Sequence, residues 1–317
     1  MINLQWAYSL AGSMFAAFAI LSALDRSHSK RFGNAAFWGL MAVSLLAGSW
    51  LGDFLNGLIV LGLAGLAGFG RIGRGTPVTT SEGERLTWSH QLGNRLFLPA
   101  LIIPATALIG TLAWLYTPLG TLGWIEAKRE TYIFLCLGAL LALALLYAWL
   151  KPPPLAPLQE GRRLIDAIGW AAVLPQMLAA LGVVFATAGV GEVIGGATRA
   201  AIPEGSIFLT VLVFALGMAL FTMIMGNAFA AFPVMAAAIG VPLLIQTYHG
   251  DPAVIGAIGM LAGFCGTLMT PMAANFNMVP AALLELKDRN GVIKAQIGTA
   301  LPLLAVNIAL IYFLAFR

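Results

Sequence analysis

The chain has 317 residues, 60% of them hydrophobic and only 9% charged, with a mean hydropathy of +0.91. Soluble domains carry about 25% charged residues, so this composition excludes an ordinary soluble enzyme or binding domain. The net charge of +4 and pI near 9.3 do not point to nucleic acid, because the Lys and Arg sit in short loops between apolar runs. In that setting they report membrane topology.

Repeated apolar runs of about 20 residues predict an all-α, polytopic protein whose partner is the lipid bilayer. About nine or ten transmembrane helices are expected, with interrupted or re-entrant segments in the C-terminal half. The first span is Leu4–Leu24. No Lys or Arg precedes it and Arg26, Lys30 and Arg31 follow it, which is the reverse of a cleaved leader. Spans two and three, about Ala35–Leu51 and Phe54–Phe69, are separated only by Gly52-Asp53. They read as a tight helical hairpin with Asp53 at its tip. The polar stretch Arg71–Arg95 predicts an interfacial helix near Glu82–Leu92. Span four is about Leu96–Tyr116 and span five Thr131–Leu150. The run Lys151-Pro152-Pro153-Pro154-Leu155-Ala156-Pro157 reads as a stiff, extended linker. It divides the chain into an N-terminal membrane half (1–150), a Pro-rich linker (151–163) and a C-terminal membrane half (164–317).

Span six is about Leu164–Phe185. The Gly-rich stretch from Ala186 to Arg199, with Glu192 inside it, is too polar for lipid and too apolar for an ordinary loop. It is expected to dip back into the membrane. Span seven runs from Ser206 to Met225, and span eight follows without a linker to Tyr248. From Ala253 to Leu284 there are 32 residues, roughly 48 Å of helix against a hydrocarbon core of about 30 Å. This run must tilt steeply or break, and Thr270-Pro271 is the natural break because the residue before proline avoids the helical region. The last span is Gln296–Phe316. The basic residues alternate between loops. Three follow span one, four follow span three, three follow span five and three precede the last span, against two after span four and Arg199 alone. This bias places the N-terminus outside a cytoplasmic (inner) membrane.

Chemistry-bearing residues are few. Cys136 and Cys265 lie inside apolar segments and suggest neither a disulfide framework nor a metal site. His28, His90 and His249 do not cluster along the chain. No cofactor and no metal centre is expected. The polar atoms that stand out are in the two interruptions. Met225-Gly226-Asn227 breaks the first, and Thr267, Thr270, Asn275 and Asn277 mark the second. Irregular backbone is tolerated in a membrane only where it is buried in protein or lines a wet cavity, and paired interrupted segments mark transport sites. Half-helix N-termini favour anions and freed carbonyls favour cations. Asn227, Thr267, Thr270, Asn275 and Asn277 are therefore the candidate substrate-binding set, for a small organic anion. Glu192 and Asp53 are the candidate acids for coupling to Na+ or H+. Two other readings compete. One is a structural subunit that stabilises a partner permease. The other is an intramembrane enzyme, which would need a nucleophile with its base, or a metal set. The chain contains no Gly-x-Ser-x-Gly, no His-Glu-x-x-His and no intramembrane Asp pair.

The stretches Met225–Met235 and Cys265–Leu284, with Arg71–Gly75 and Trp88–Arg95 upstream, resemble a bacterial membrane-protein family. It is known only as domain of unknown function nine hundred seventy-nine. The resemblance covers nearly the whole chain, and Cys265-Gly266-Thr267-Leu268-Met269-Thr270-Pro271-Met272-Ala273-Ala274-Asn275-Phe276-Asn277 is its most specific part. Members are typically encoded beside a second membrane protein, sometimes near pyroglutamyl-peptidase genes. That neighbourhood implies a two-subunit carrier and a pyroglutamate-like substrate. The layout of Phe185–Ala197, Gly226–Pro233 and Gly263–Asn277 is also similar to the ion transporter superfamily of organic-anion carriers. Those carriers use two inverted repeats, and here only the second half shows the layout. This implies a homodimer or a partner subunit that supplies the missing half.

Overall fold

The computed structural model describes residues 2–75, 77, 79–203 and 205–316. Among them the chain is helical, and its one β-bridge pairs Ile2 with Ile125. Eight helical segments among the described residues are long and apolar enough to cross a membrane, and the shorter Pro252–Thr267 is also apolar. Large apolar side chains such as Leu101, Leu108, Ile109 and Phe313 remain exposed along them. That is the surface a bilayer covers. The chain forms two compact units, 1–166 and 167–317.

In the first unit α1 (Leu4–Leu24) packs along α2 (Arg31–Gly68). Helix α2 is not one rod. Gly52 has φ +70°, which folds the helix back on itself. Asn56 Nδ2 donates to the Gly48 carbonyl at 2.8 Å across the turn. Lower down, Gly62 meets Leu40, and Gly33 meets the Arg71 carbonyl where a side chain would collide. The expected hairpin is therefore present, turned on a residue that adopts positive φ without steric cost. A helix stands where the polar stretch predicted one, α3 (Glu82–Leu92), opened by a Ser81–Glu84 capping box. Helices α4 (Phe97–Tyr116) and α5 (Glu130–Leu150) pair with each other.

The proline run differs from the sequence expectation. Residues 151–155 leave the helix, but α6 begins at Ala156 and runs to Ile168. Ala156 and Pro157, expected to be extended, are thus helical, and the two compact units divide after Asp166. The reason is polar. Arg162, counted from sequence as a loop residue, is buried. Its Nη2 donates to Asp25 Oδ2 at 2.7 Å and its Nη1 to the Leu21 carbonyl at 2.6 Å. One turn on, buried Asp166 accepts at Oδ1 from Trp38 Nε1 (2.8 Å) and Asn34 Nδ2 (3.0 Å). These bonds hold α6 against α1 and α2.

Burial pushes the Asp25 carboxyl up, but hydrogen bonds from Ser27 and Arg162 and the Arg162 charge outweigh it. The pKa is left below the ordinary 3.8. A carboxylate lowered on folding stabilises the native state above its unfolded pKa, and loses that contribution as pH falls through the folded value. The wild-type midpoint is therefore expected to lie above that of Asp25→Asn near pH 5 and to fall toward it as pH drops, because the variant's stability lacks this dependence. Thermal midpoints from about pH 5 down to pH 2.5 check this.

The second unit is built on α9 (Ile207–Met225), α11 (Pro252–Thr267) and α13 (Gly291–Ala315), which pack on one another. Small residues allow the approach. Gly263 sits beside Met218 and Ala228, and Gly266 lies on the Ala219 backbone, the close contact that glycine permits between membrane helices. Phe214, Met218, Met235 and Ile239 fill the core between them. Helix α10 (Ala228–Met235) continues as a π-helix, Ala236–Thr247. Helices α7 (Leu174–Thr187) and α8 (Val190–Ala201) form a hairpin turned at Gly189. At 14 and 12 residues the two arms are roughly 21 and 18 Å long, short of the hydrocarbon thickness. Gly191 and Gly195 of α8 lie directly on the backbone of Val234 and Ala238.

Candidate functional site

Both expected interruptions occur, and they touch. Helix α9 stops at Met225, Gly226 turns the chain with φ +70°, and Asn227 caps α10 by accepting the Phe229 N–H at 2.8 Å. Opposite, α11 stops at Thr267. The chain then runs without regular helix through residues 268–277 before the short α12 (Met278–Leu283). The Cα of Gly226 faces the Met272 carbonyl and Leu178.

Asn277 and Thr270 hold this unwound segment. Asn277 is fully buried, and its Nδ2 donates to the Thr267 and Thr270 carbonyls, both at 2.7 Å. Those are carbonyls that the broken helix leaves without partners. The Thr270 hydroxyl donates to the Met223 carbonyl at 2.8 Å and accepts from the Met272 N–H at 3.2 Å. It ties the second break to the end of α9. Among the described residues, Asn277 Oδ1 and the buried Thr222 Oγ1 beside Gly263 have no hydrogen-bond partner.

Between the breaks is a cavity of about 160 Å³ lined by Leu174, Leu178, Gly226, Asn227, Phe229, Phe264, Thr267 and residues 272–276. Of the residues expected from sequence, Asn227, Thr267 and Asn275 line it, whereas Thr270 and Asn277 are staples behind its wall. Asn227 spends its carbonyl oxygen on the helix cap, which leaves its NH2 group for the cavity. Asn275 is exposed there and makes no side-chain hydrogen bond among the described residues. Thr267 directs its hydroxyl to the Phe264 carbonyl at 2.6 Å. The wall thus offers uncommitted amide donors, apolar and aromatic surface and, among the described residues, no charged side chain.

The two candidate acids lie elsewhere. Glu192 is exposed on α8 and does not line the cavity, and Asp53 is exposed just after the Gly52 turn in the first unit. Sequence reasoning missed Asn307, buried in α13 with its Nδ2 3.5 Å from Cys265 Sγ. A lone Asn in an apolar span was the available signal. It lines an adjoining, almost wholly apolar recess of about 460 Å³ that shares Phe229, Phe264, Thr267 and Phe276 with the first cavity. The polar cluster of the first unit was also missed, because its members are far apart in sequence. Among the described residues, no three His, Cys, Asp or Glu side chains are grouped as metal ligands.

Helices of this length and apolarity, with exposed apolar flanks and paired helix breaks, define an all-α, multi-pass membrane protein. A family model described as "Protein of unknown function (DUF979)" matches residues 5–316, and the chain belongs to that family. No curated protein and no solved structure matches it.

Proposed function

We propose that this chain is a secondary transporter, or one subunit of a two-component transporter, that moves a small organic anion by alternating access. The observation that carries the reading is the cavity between the two helix breaks. Its polar wall consists of the Asn227 and Asn275 amides and the start of α10. Amide N–H donors and a helix N-terminus hold a carboxylate without a buried Lys or Arg. The volume suits a ligand of about the size of a single ring, since a cavity of about 150 Å³ accepts benzene. A pyroglutamate-like acid meets both conditions, and the family's gene neighbourhood leads to the same class. The layout likeness to the ion transporter superfamily belongs to the same reading. So do the inner membrane, an outside N-terminus, coupling to Na+ or H+, and a second membrane subunit or a second copy of the chain.

A thermal-shift screen tests it, using the purified protein with and without its neighbouring membrane protein. The panel holds pyroglutamate, gluconate and dicarboxylates, in sodium and sodium-free buffer. Ligand at 100 times its Kd stabilises by about 2.7 kcal/mol, enough to read as a clear rise in midpoint. Asn227→Ala and Asn275→Ala are expected to fold normally and to lose at least tenfold in affinity for the acid that shifts the wild type. Wild-type binding by both variants would place the site elsewhere. No shift with any acid, with or without the partner, would overturn the carrier reading in favour of a structural subunit.

A further inference from the structure

We propose that Asp166 is a reversible proton-binding site, buried where α6 meets α1 and α2. Asp166 and Arg162 are both buried, and they stand four residues apart on α6. The guanidinium is already engaged, with Nη2 on Asp25 Oδ2 and Nη1 on the Leu21 carbonyl. Two carboxylates therefore share one fixed cation. A methyl group built on Gly75 would lie 3.4 Å from Asp166 Oδ2, 3.9 Å from Asp25 Oδ2 and 3.2 Å from His28 Cδ2, so three titratable groups surround one point.

His28 is held by neighbours other than the two carboxylates, Asn34 Nδ2 at 3.4 Å from its Nε2 among them. Its Nδ1 accepts the Lys30 backbone N–H at 3.2 Å, and its Nε2 lies 3.1 Å from the Gly73 carbonyl. Other charges near the cluster stay at its rim. The Lys30 ammonium is exposed and lies 3.4 Å from the Ile72 carbonyl, Arg26 and Arg74 are exposed, and Arg163 pairs with Glu160. With both acids ionised, Asp25, Arg162 and Asp166 together carry one net negative charge, which a low-dielectric interior disfavours.

The remaining proton acceptor is Asp166 Oδ2. Oδ1 already receives the Trp38 and Asn34 N–H groups, whereas Oδ2 has no hydrogen-bond donor among the described residues. Uptake converts the carboxylate and one proton from water into a neutral carboxylic acid. Release reverses this, and no other bond changes. The assignment does not rest on the transport reading, because its ligand is the proton itself.

Trp38 provides the readout, since its indole N–H donates directly to the group that titrates. The experiment uses the full chain with 15N-labelled tryptophan in lipid nanodiscs. The Trp38 indole cross-peak is assigned with Trp38→Phe and followed from about pH 5 to pH 8.5, above the ordinary carboxylate range. The expected result is one titration of that peak in the wild type. Asp166→Asn, a neutral stand-in for the acid form, should freeze it near its low-pH position. His28→Gln should leave the titration in place, and choline substituted for sodium should not move it. Unchanged cross-peaks from the other tryptophans show that each variant is folded. A static wild-type peak, a titration that survives Asp166→Asn or vanishes in His28→Gln, or a midpoint that follows sodium concentration would overturn the proposal.

Discussion

Gly226→Ala is expected to lower the unfolding free energy by about 2 to 5 kcal/mol, the sum of a left-handed backbone cost and an overpacking cost. Gly226 has φ +70°, a conformation that L-residues adopt only under strain. The space where its Cβ would stand is taken by the Met272 carbonyl and Leu178 Cδ1. Neither neighbour can retreat freely, because Met272 belongs to the unwound segment stapled by Thr270 and Leu178 is buried. The variant must therefore either strain the α9–α10 turn or push the two breaks apart. Thermal midpoints in mild detergent read the first effect, and loss of the ligand-dependent shift reads the second. Gly57→Ala is the control. That glycine lies in the second arm of α2 with open space around it, so alanine there should be neutral or slightly stabilising. A midpoint for Gly226→Ala equal to that of Gly57→Ala would mean that the turn is not under this constraint.

The second large effect is expected at Arg162. Replacing it by methionine keeps much of the side-chain volume but removes the only guanidinium between two carboxylates. Breaking a buried ion pair by deleting one partner costs about 3 to 5 kcal/mol, because the other charge stays behind unpaired. The Asp25 and Arg162 side chains are 13% and 7% exposed, so screening by water is weak. The double variant Arg162→Met with Asp25→Asn removes both charges of the pair, and it is expected to recover much of the loss. A double variant no more stable than the single would show that Arg162 acts through its bond to the Leu21 carbonyl and not through charge.

The sequence was informative where the backbone chemistry is local. Gly52 between two apolar runs announces a fold-back, because only a residue that accepts φ +70° turns a helix so abruptly. The excess length of Ala253–Leu284 announces a break, although the structure spreads it over residues 268–277 and does not confine it to Thr270-Pro271. Asn275 and Asn277 illustrate the limit of that reading. Both carry the same polar group, yet one lines the cavity and the other is a buried staple, a difference set by unwound backbone that no helical periodicity describes. The cluster around Asp166 was illegible for another reason. Asp166 bonds Asn34 and Trp38 across 132 and 128 positions, and Arg162 bonds Asp25 across 137. Nothing in the local pattern separates Arg162 from the loop cations beside it. Likewise the proline run suggested a spacer, and only the polar contacts of α6 explain why a helix starts inside it.

The contact between α8 and the α10/π-helix segment has a mechanical consequence. It is made in part by Gly191 and Gly195 resting on the Val234 and Ala238 backbone beside the Ala237 methyl, while Ile194 packs against the core. Elsewhere in the second unit, side chains such as Phe214 and Met235 interlock, and any relative movement must first change rotamers. Along the glycine stripe backbone meets backbone, so lengthwise sliding there disturbs few side chains. Shear between packed helices is one of the standard ways proteins move. This glycine seam lies along the continuation of the helix that Asn227 caps, so a small slip there would carry the cavity wall with it.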